Sequence, residues 1–152
     1  MTAARTTTLS KKNLLVLTIA GAAAFWVTTV ATSLLPLAAE YRAAYTNWKI
    51  QTVWIDSLIA GLIIGGGVSY FLLRSLSKNP AKHPVWESAH LGFIALVIIT
   101  ILVDVPRSLL APGPGNAWSW YYFLVGLMFN AARFLLLGLA IGYLCQRLYR
   151  SA

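Results

Sequence analysis

Arg133 stands in the run Phe129-Asn130-Ala131-Ala132-Arg133-Phe134-Leu135-Leu136-Leu137, the only charge between Trp118 and Gln146. Asp104 follows Ile98-Ile99-Thr100-Ile101-Leu102-Val103, and Asp56 sits in Trp54-Ile55-Asp56-Ser57-Leu58-Ile59. Ionisable groups in such apolar company pair with one another, bind an ion or polar solute, or pass on a proton. A central Arg costs roughly 2.5–3.5 kcal/mol on membrane-insertion scales, so it needs a partner or a wet cavity. Asn130 shares the helical face of Arg133, with Gly126 and Tyr122 further along the same stripe. The candidates for binding or gating are therefore Arg133, Asp104, Asp56 and Asn130.

A second polar set opens the same apolar run as Asp104. Glu87, His90, Thr100, Asp104 and Arg107 are spaced so that, at about 3.6 residues per turn, one stripe of a helix is expected to hold them all. Glu87 and His90 are candidates for a relay on the cytoplasmic side. His90 lies about 21 Å of helix rise from Asp104, so Thr100, waters and a partner helix would have to bridge the gap. Glu87-Ser88-Ala89-His90 also has the Glu-x-x-His spacing of di-iron bundles, which need two such motifs and two more glutamates. The only other glutamate is Glu40, so no metal site is expected. Cys145 is the single cysteine and can form no intrachain disulfide. With no nucleophile elbow, phosphate loop or dinucleotide fingerprint, no catalytic residue and no cofactor are expected.

The elements that must position these groups follow from composition. Of 152 residues, 59% are hydrophobic and 11% charged, and the mean hydropathy is +0.71. A soluble domain is about a quarter charged, so a water-facing globule and a disordered chain are both excluded. A helix crosses hydrocarbon about 30 Å thick with roughly 20 apolar residues. Four stretches qualify, at about 13–36, 51–74, 88–110 and 118–146. They do not alternate as barrel strands would. The expected fold class is all-α: an integral membrane four-helix bundle forming one domain over residues 1–152. The first stretch has a basic start and an Ala22-Ala23-Ala24 site, but it stays apolar to about Ala39. That is longer than a signal-peptide core of about 7–15 residues, so a retained span is expected.

The net charge of +8 suggests nucleic acid until the charges are placed. Arg5, Lys11, Lys12, Arg74, Lys78, Lys82, Arg147 and Arg150 fall on one side of the four stretches, and Arg42, Lys49 and Arg107 on the other. The positive-inside rule puts the richer side, with both termini, in the cytoplasm. Trp48, Trp54, Trp86, Trp118, Trp120, Tyr121 and Tyr122 collect near the proposed interfaces. The expected surroundings are a lipid bilayer, with a prokaryotic inner membrane as the working location and no nucleic-acid partner.

The turn Pro112-Gly113-Pro114-Gly115-Asn116 makes the third and fourth spans neighbours. Side chains tilt toward a helix's N-terminus, so Arg133 is expected to lean outward and Asp104 inward, to meet at one depth. Ser57, Gly61, Gly65 and Ser69, four apart, and Gly138 with Gly142 are expected to pack helices closely. Gly65-Gly66-Gly67 fits either a close crossing or a broken helix lining a cavity.

Two uses of the Arg133–Asp104 pair stay open: a bond that only locks helices, or part of a path for an ion, proton or polar solute. The leading reading is a non-enzymatic protein that moves or gates such a species. The alternative is an accessory or assembly subunit, and a membrane enzyme using His90 and Glu87 ranks third. Four helices make a thin bundle, so a homo-oligomer or a place in a larger membrane complex is expected. The topology has a direct check. In a Cys145→Ala background, a membrane-impermeant maleimide applied to intact cells should label Lys49→Cys and spare Lys78→Cys; the reverse pattern would invert the orientation.

Overall fold

A computed structural model describes residues 11–45, 49–110 and 116–150. Arg5, Trp48 and the turn at 112–115 lie outside the described residues. The described residues form an all-helical bundle with four helical stretches long and apolar enough to cross a membrane. The elements are α1 (Lys11–Ser33), α2 (Pro36–Tyr45), α3 (Ile50–Lys78), α4 (Pro84–Ile99), a π-helical turn (Thr100–Asp104), α5 (Val105–Leu110) and α6 (Asn116–Arg150).

α1 lies between α3 and α6, α4 covers another side of α6, and α3 touches α4 less extensively. The core joins Leu17 and Phe25 of α1, Leu72 and Leu76 of α3, Leu96 of α4, and Phe134, Leu137 and Ile141 of α6. The Phe25 and Phe134 rings meet edge to face, 5.6 Å between centroids, a favoured aromatic geometry. The outer surface is apolar: Ile63 is 71% exposed, Leu102 67% and Phe93 62%. Hydrocarbon, not water, suits that surface.

Small residues set the helix spacing. Ser57, Gly61, Gly65 and Ser69 form a buried row on α3. A Cβ on Gly61 would lie 3.2 Å from the Ala22 backbone, and one on Gly65 3.1 Å from the Thr18 carbonyl. On α6, a Cβ on Gly138 would lie 3.0 Å from the Ser88 carbonyl, and one on Gly142 2.6 Å from Val85 Cα. The approach lets Ser88 Oγ donate to the Gly138 carbonyl at 2.7 Å, across helices. α3 runs unbroken through Gly65-Gly66-Gly67, so the broken-helix alternative is not realised. A Cβ on Gly67 would meet nothing within 4 Å.

Two departures from straight spans matter. The first span ends a little before the apolar run at 13–36 does: α1 stops at Ser33, and Pro36 opens α2. Proline suits the first turn of a helix and disfavours helix in the residue before it. Arg42 Nη1 donates to the Ser33 carbonyl at 3.0 Å, satisfying an end group of α1 and folding α2 back. The second departure is the π turn. Pro106 has no N–H for the carbonyl four residues earlier, and its ring collides with that carbonyl. The chain widens instead, and the Val105 N–H reaches the Thr100 carbonyl five residues back.

This packing separates two glycines sharply. Gly142→Leu should destabilise the bundle by about 1–3 kcal/mol through overpacking. Gly67→Ala should be neutral or stabilising by up to about 1 kcal/mol, since it adds helix propensity in open space. Thermal unfolding of the two variants in one detergent, followed by circular dichroism, checks both.

Candidate functional site

The middle of α6 carries the polar centre. Val125, Gly126, Phe129, Asn130 and Arg133 rise in steps of one, three, one and three, a continuous patch on a helix. Arg133 is at the midpoint of α6, about 26 Å of helix rise from either end. No snorkelling side chain covers that distance. Three elements converge on the patch: α6 itself, the π turn and α2.

The π turn supplies Asp104. Asn130 Nδ2 donates to Asp104 Oδ2 at 2.9 Å. Asn130 Oδ1 in turn accepts from Arg133 Nη1 at 3.2 Å. The amide thus stands between carboxylate and guanidinium, with one end turned to each. The two charges do not form the direct contact expected from side-chain tilt; Arg133 hydrogen-bonds to Asn130 instead. The reason is register: the widened turn changes the direction of Asp104, and Asn130 fills the intervening space.

α2 supplies Tyr41. Its ring is edge to face with Phe129 at 6.4 Å between centroids, beside Ala38 and Val125. A Cβ on Gly126 would lie 2.8 Å from the Tyr41 hydroxyl, so only glycine leaves room for the phenol there. Tyr41 and Asp104 are the electrostatic neighbours of Arg133. Two polar atoms of this region are buried without a hydrogen-bond partner, Arg133 Nε and Thr100 Oγ1. Unmet donors and acceptors in a bilayer core are costly and call for water, an ion or a ligand.

The remaining candidates go elsewhere. Asp56 is exposed on α3, next to buried Ser57, and does not join Asp104 and Arg133. His90 is also exposed, on the face of α4 away from α6. Glu87 accepts from Ser75 Oγ at 2.5 Å and pairs with Lys82 at 2.7 Å, which ties the loop between α3 and α4 to both helices. The expected single polar stripe is therefore corrected. The inward row of α4 is Ser88, Gly92 and Leu96, and Thr100 and Asp104 continue it in steps of four through the wider turn. His90 is about 200° away from Ser88 around the helix. Among the described residues, no three His, Cys, Asp or Glu side chains are grouped to hold a metal.

Tyr41 was missed as a site residue. Its signal was available: Leu37, Ala38 and Tyr41 recur at helical spacing directly after Pro36. Pro106 inside an apolar run was the corresponding signal for the π turn.

Asn130→Leu should remove the hydrogen bonds that the amide makes to the carboxylate and to the guanidinium, at a cost of about 1–3 kcal/mol. Combined with Asp104→Leu, the double variant should lose less than the two single losses added together. The coupling should be about 0.5–3 kcal/mol, read from reversible unfolding of the four proteins of the cycle.

Comparison with known proteins gives no resemblance to build on: no protein family, no curated protein and no solved structure matches the chain.

Proposed function

We propose that this membrane protein moves or gates an ion, a proton or a small polar solute, with Arg133 and Asp104 as the gate or binding pair and Asn130 as the bridge. The observation that carries this reading is the polar bridge at the midpoint of α6, where Arg133 makes one 3.2 Å hydrogen bond and keeps a buried Nε unpartnered. A group that only locked helices together would be expected to have its donors filled. Ionisable residues inside membrane spans commonly serve ion pathways and proton relays. Asp56, exposed on α3, is a second carboxylate apart from that pair, and the bundle's thinness favours a homo-oligomer in the bilayer.

A second reading is favoured by Asp56 itself. An exposed carboxylate in the second turn of an apolar span is costly against lipid, and a partner chain would cover it. An accessory or assembly subunit of a larger membrane complex fits that observation. It would co-purify with its complex after mild solubilisation and transport nothing alone.

Reconstitution separates the two. Vesicles containing the purified chain should show ion, proton or solute flux that falls at least tenfold in Arg133→Ala and in Asp104→Asn. Flux that both substitutions leave unchanged would remove the pair from the path.

A further inference from the structure

A guanidinium carries five N–H donors in a planar fork. In Arg133 the Nη1 side is turned to Asn130 Oδ1, and on the opposite side, the edge of Nε and Nη2, the buried Nε has no hydrogen-bond partner among the described residues. That opposite side is the edge that receives a carboxylate through two parallel hydrogen bonds. We propose that the Nε–Nη2 edge of Arg133 is the docking fork for a small monovalent carboxylate anion. The inference rests on the reading of this cluster as a binding or gating site and names the class of solute.

Four observations favour that class. First, Nε is buried, so a ligand there meets its donor in a site of low dielectric, where a charge-assisted hydrogen bond is strong. Second, the carboxylate of Asp104 does not fill the fork: its Oδ2 accepts from the Asn130 amide, and Arg133 Nε has no hydrogen-bond partner. Third, Asp104 is still an electrostatic neighbour of Arg133. A divalent anion would be repelled more than a monovalent one, which argues against phosphate. Fourth, exposed Lys11, Lys12, Arg74, Lys78, Lys82 and Arg147 lie at one end of the bundle, in a chain of net charge +8. Such a field raises the local concentration of anions and lowers that of cations. Lipid headgroups are not the source, since Arg133 is midway along its span and a headgroup sits at the surface.

Of the two other buried unpartnered atoms among the described residues, Ser69 Oγ is on α3 and Thr100 Oγ1 is on the π turn that also carries Asp104. The Thr100 hydroxyl can donate to a bound oxyanion. Tyr41, lying over Gly126, covers the patch from the α2 side. The site would therefore hold a compact ligand between an Arg fork and two hydroxyl-bearing elements.

The test uses the full chain in phosphatidylcholine nanodiscs and ¹³C-carboxylate acetate, with chloride and phosphate in parallel titrations. Calorimetry should show saturable acetate binding, and the infrared carboxylate bands of the bound fraction should shift from those of free acetate. Arg133→Lys keeps the charge but loses the fork, and should weaken binding at least tenfold. Arg133→Gln should abolish it, while circular dichroism and elution volume show that the variants remain folded. Should Arg133→Gln not fold, Arg133→Lys and the infrared shift in the unmodified chain still decide. Absence of saturable acetate binding, equal binding in Arg133→Lys, or tighter binding of chloride or phosphate would overturn the proposal. Acetate binding without flux of any ion or solute would support this site and remove the transport reading. Proton or cation flux that depends on Asp104 without acetate binding would do the opposite.

Discussion

Hydrocarbon offers no hydrogen bonds, so every polar group that α1, α3, α4 and α6 carry inward must be satisfied by the protein or by something it admits. Much of the bundle meets this condition locally. Thr18, Thr28, Thr29 and Thr32 each donate to the carbonyl four residues earlier on α1, leaving no hydroxyl bare. Ser88 reaches the Gly138 carbonyl on the neighbouring helix. Trp54 Nε1 donates to Ser33 Oγ, and Trp26 Nε1 to the Trp54 carbonyl, where α1 and α3 meet. Against that background three buried atoms among the described residues are unsatisfied: Ser69 Oγ on α3, Thr100 Oγ1 on the π turn and Arg133 Nε on α6.

Close approach is what makes inter-helix satisfaction available at all. Lipid tails are as apolar as leucine, so helices gain little from hydrophobic exclusion and associate through packing and hydrogen bonds. The glycines on α3 and α6 let backbones come near enough for a serine hydroxyl to cross from one helix to the next. Longer side chains at Gly138 and Gly142 would separate α4 from α6, and with them Asp104 from Asn130.

Two irregularities then concentrate chemistry on one layer of α6. Pro106 forces the turn before it to widen, which carries Thr100 and Asp104 onto the inward row of α4. Pro36 opens a new helix after α1, which folds back until Tyr41 rests over Gly126. Both are proline effects in otherwise apolar runs, and both place a polar side chain beside the same stretch of α6, residues 125–133, about two and a half turns. π turns in helices occur often at functional sites, and here the turn positions the acid of the bridge.

Composition and run length were enough to show the four apolar helices, the lipid-suited class of the chain, and the identity of the few charges that need a partner. Neither quantity depends on any other part of the chain. Asn130 and Arg133 were also readable as one face, because their spacing is internal to a single straight helix. Tertiary structure alone decided the rest. A straight-helix period carried Asp104 onto the stripe of His90, whereas the widened turn re-phases everything after Ile99. The same period says nothing about which face meets a neighbour, so Asp56 and His90 were grouped with an interior they do not enter. Whether two opposite charges touch or are bridged depends on distances of a few ångströms between helices, and those are set by the glycine contacts and the π turn together.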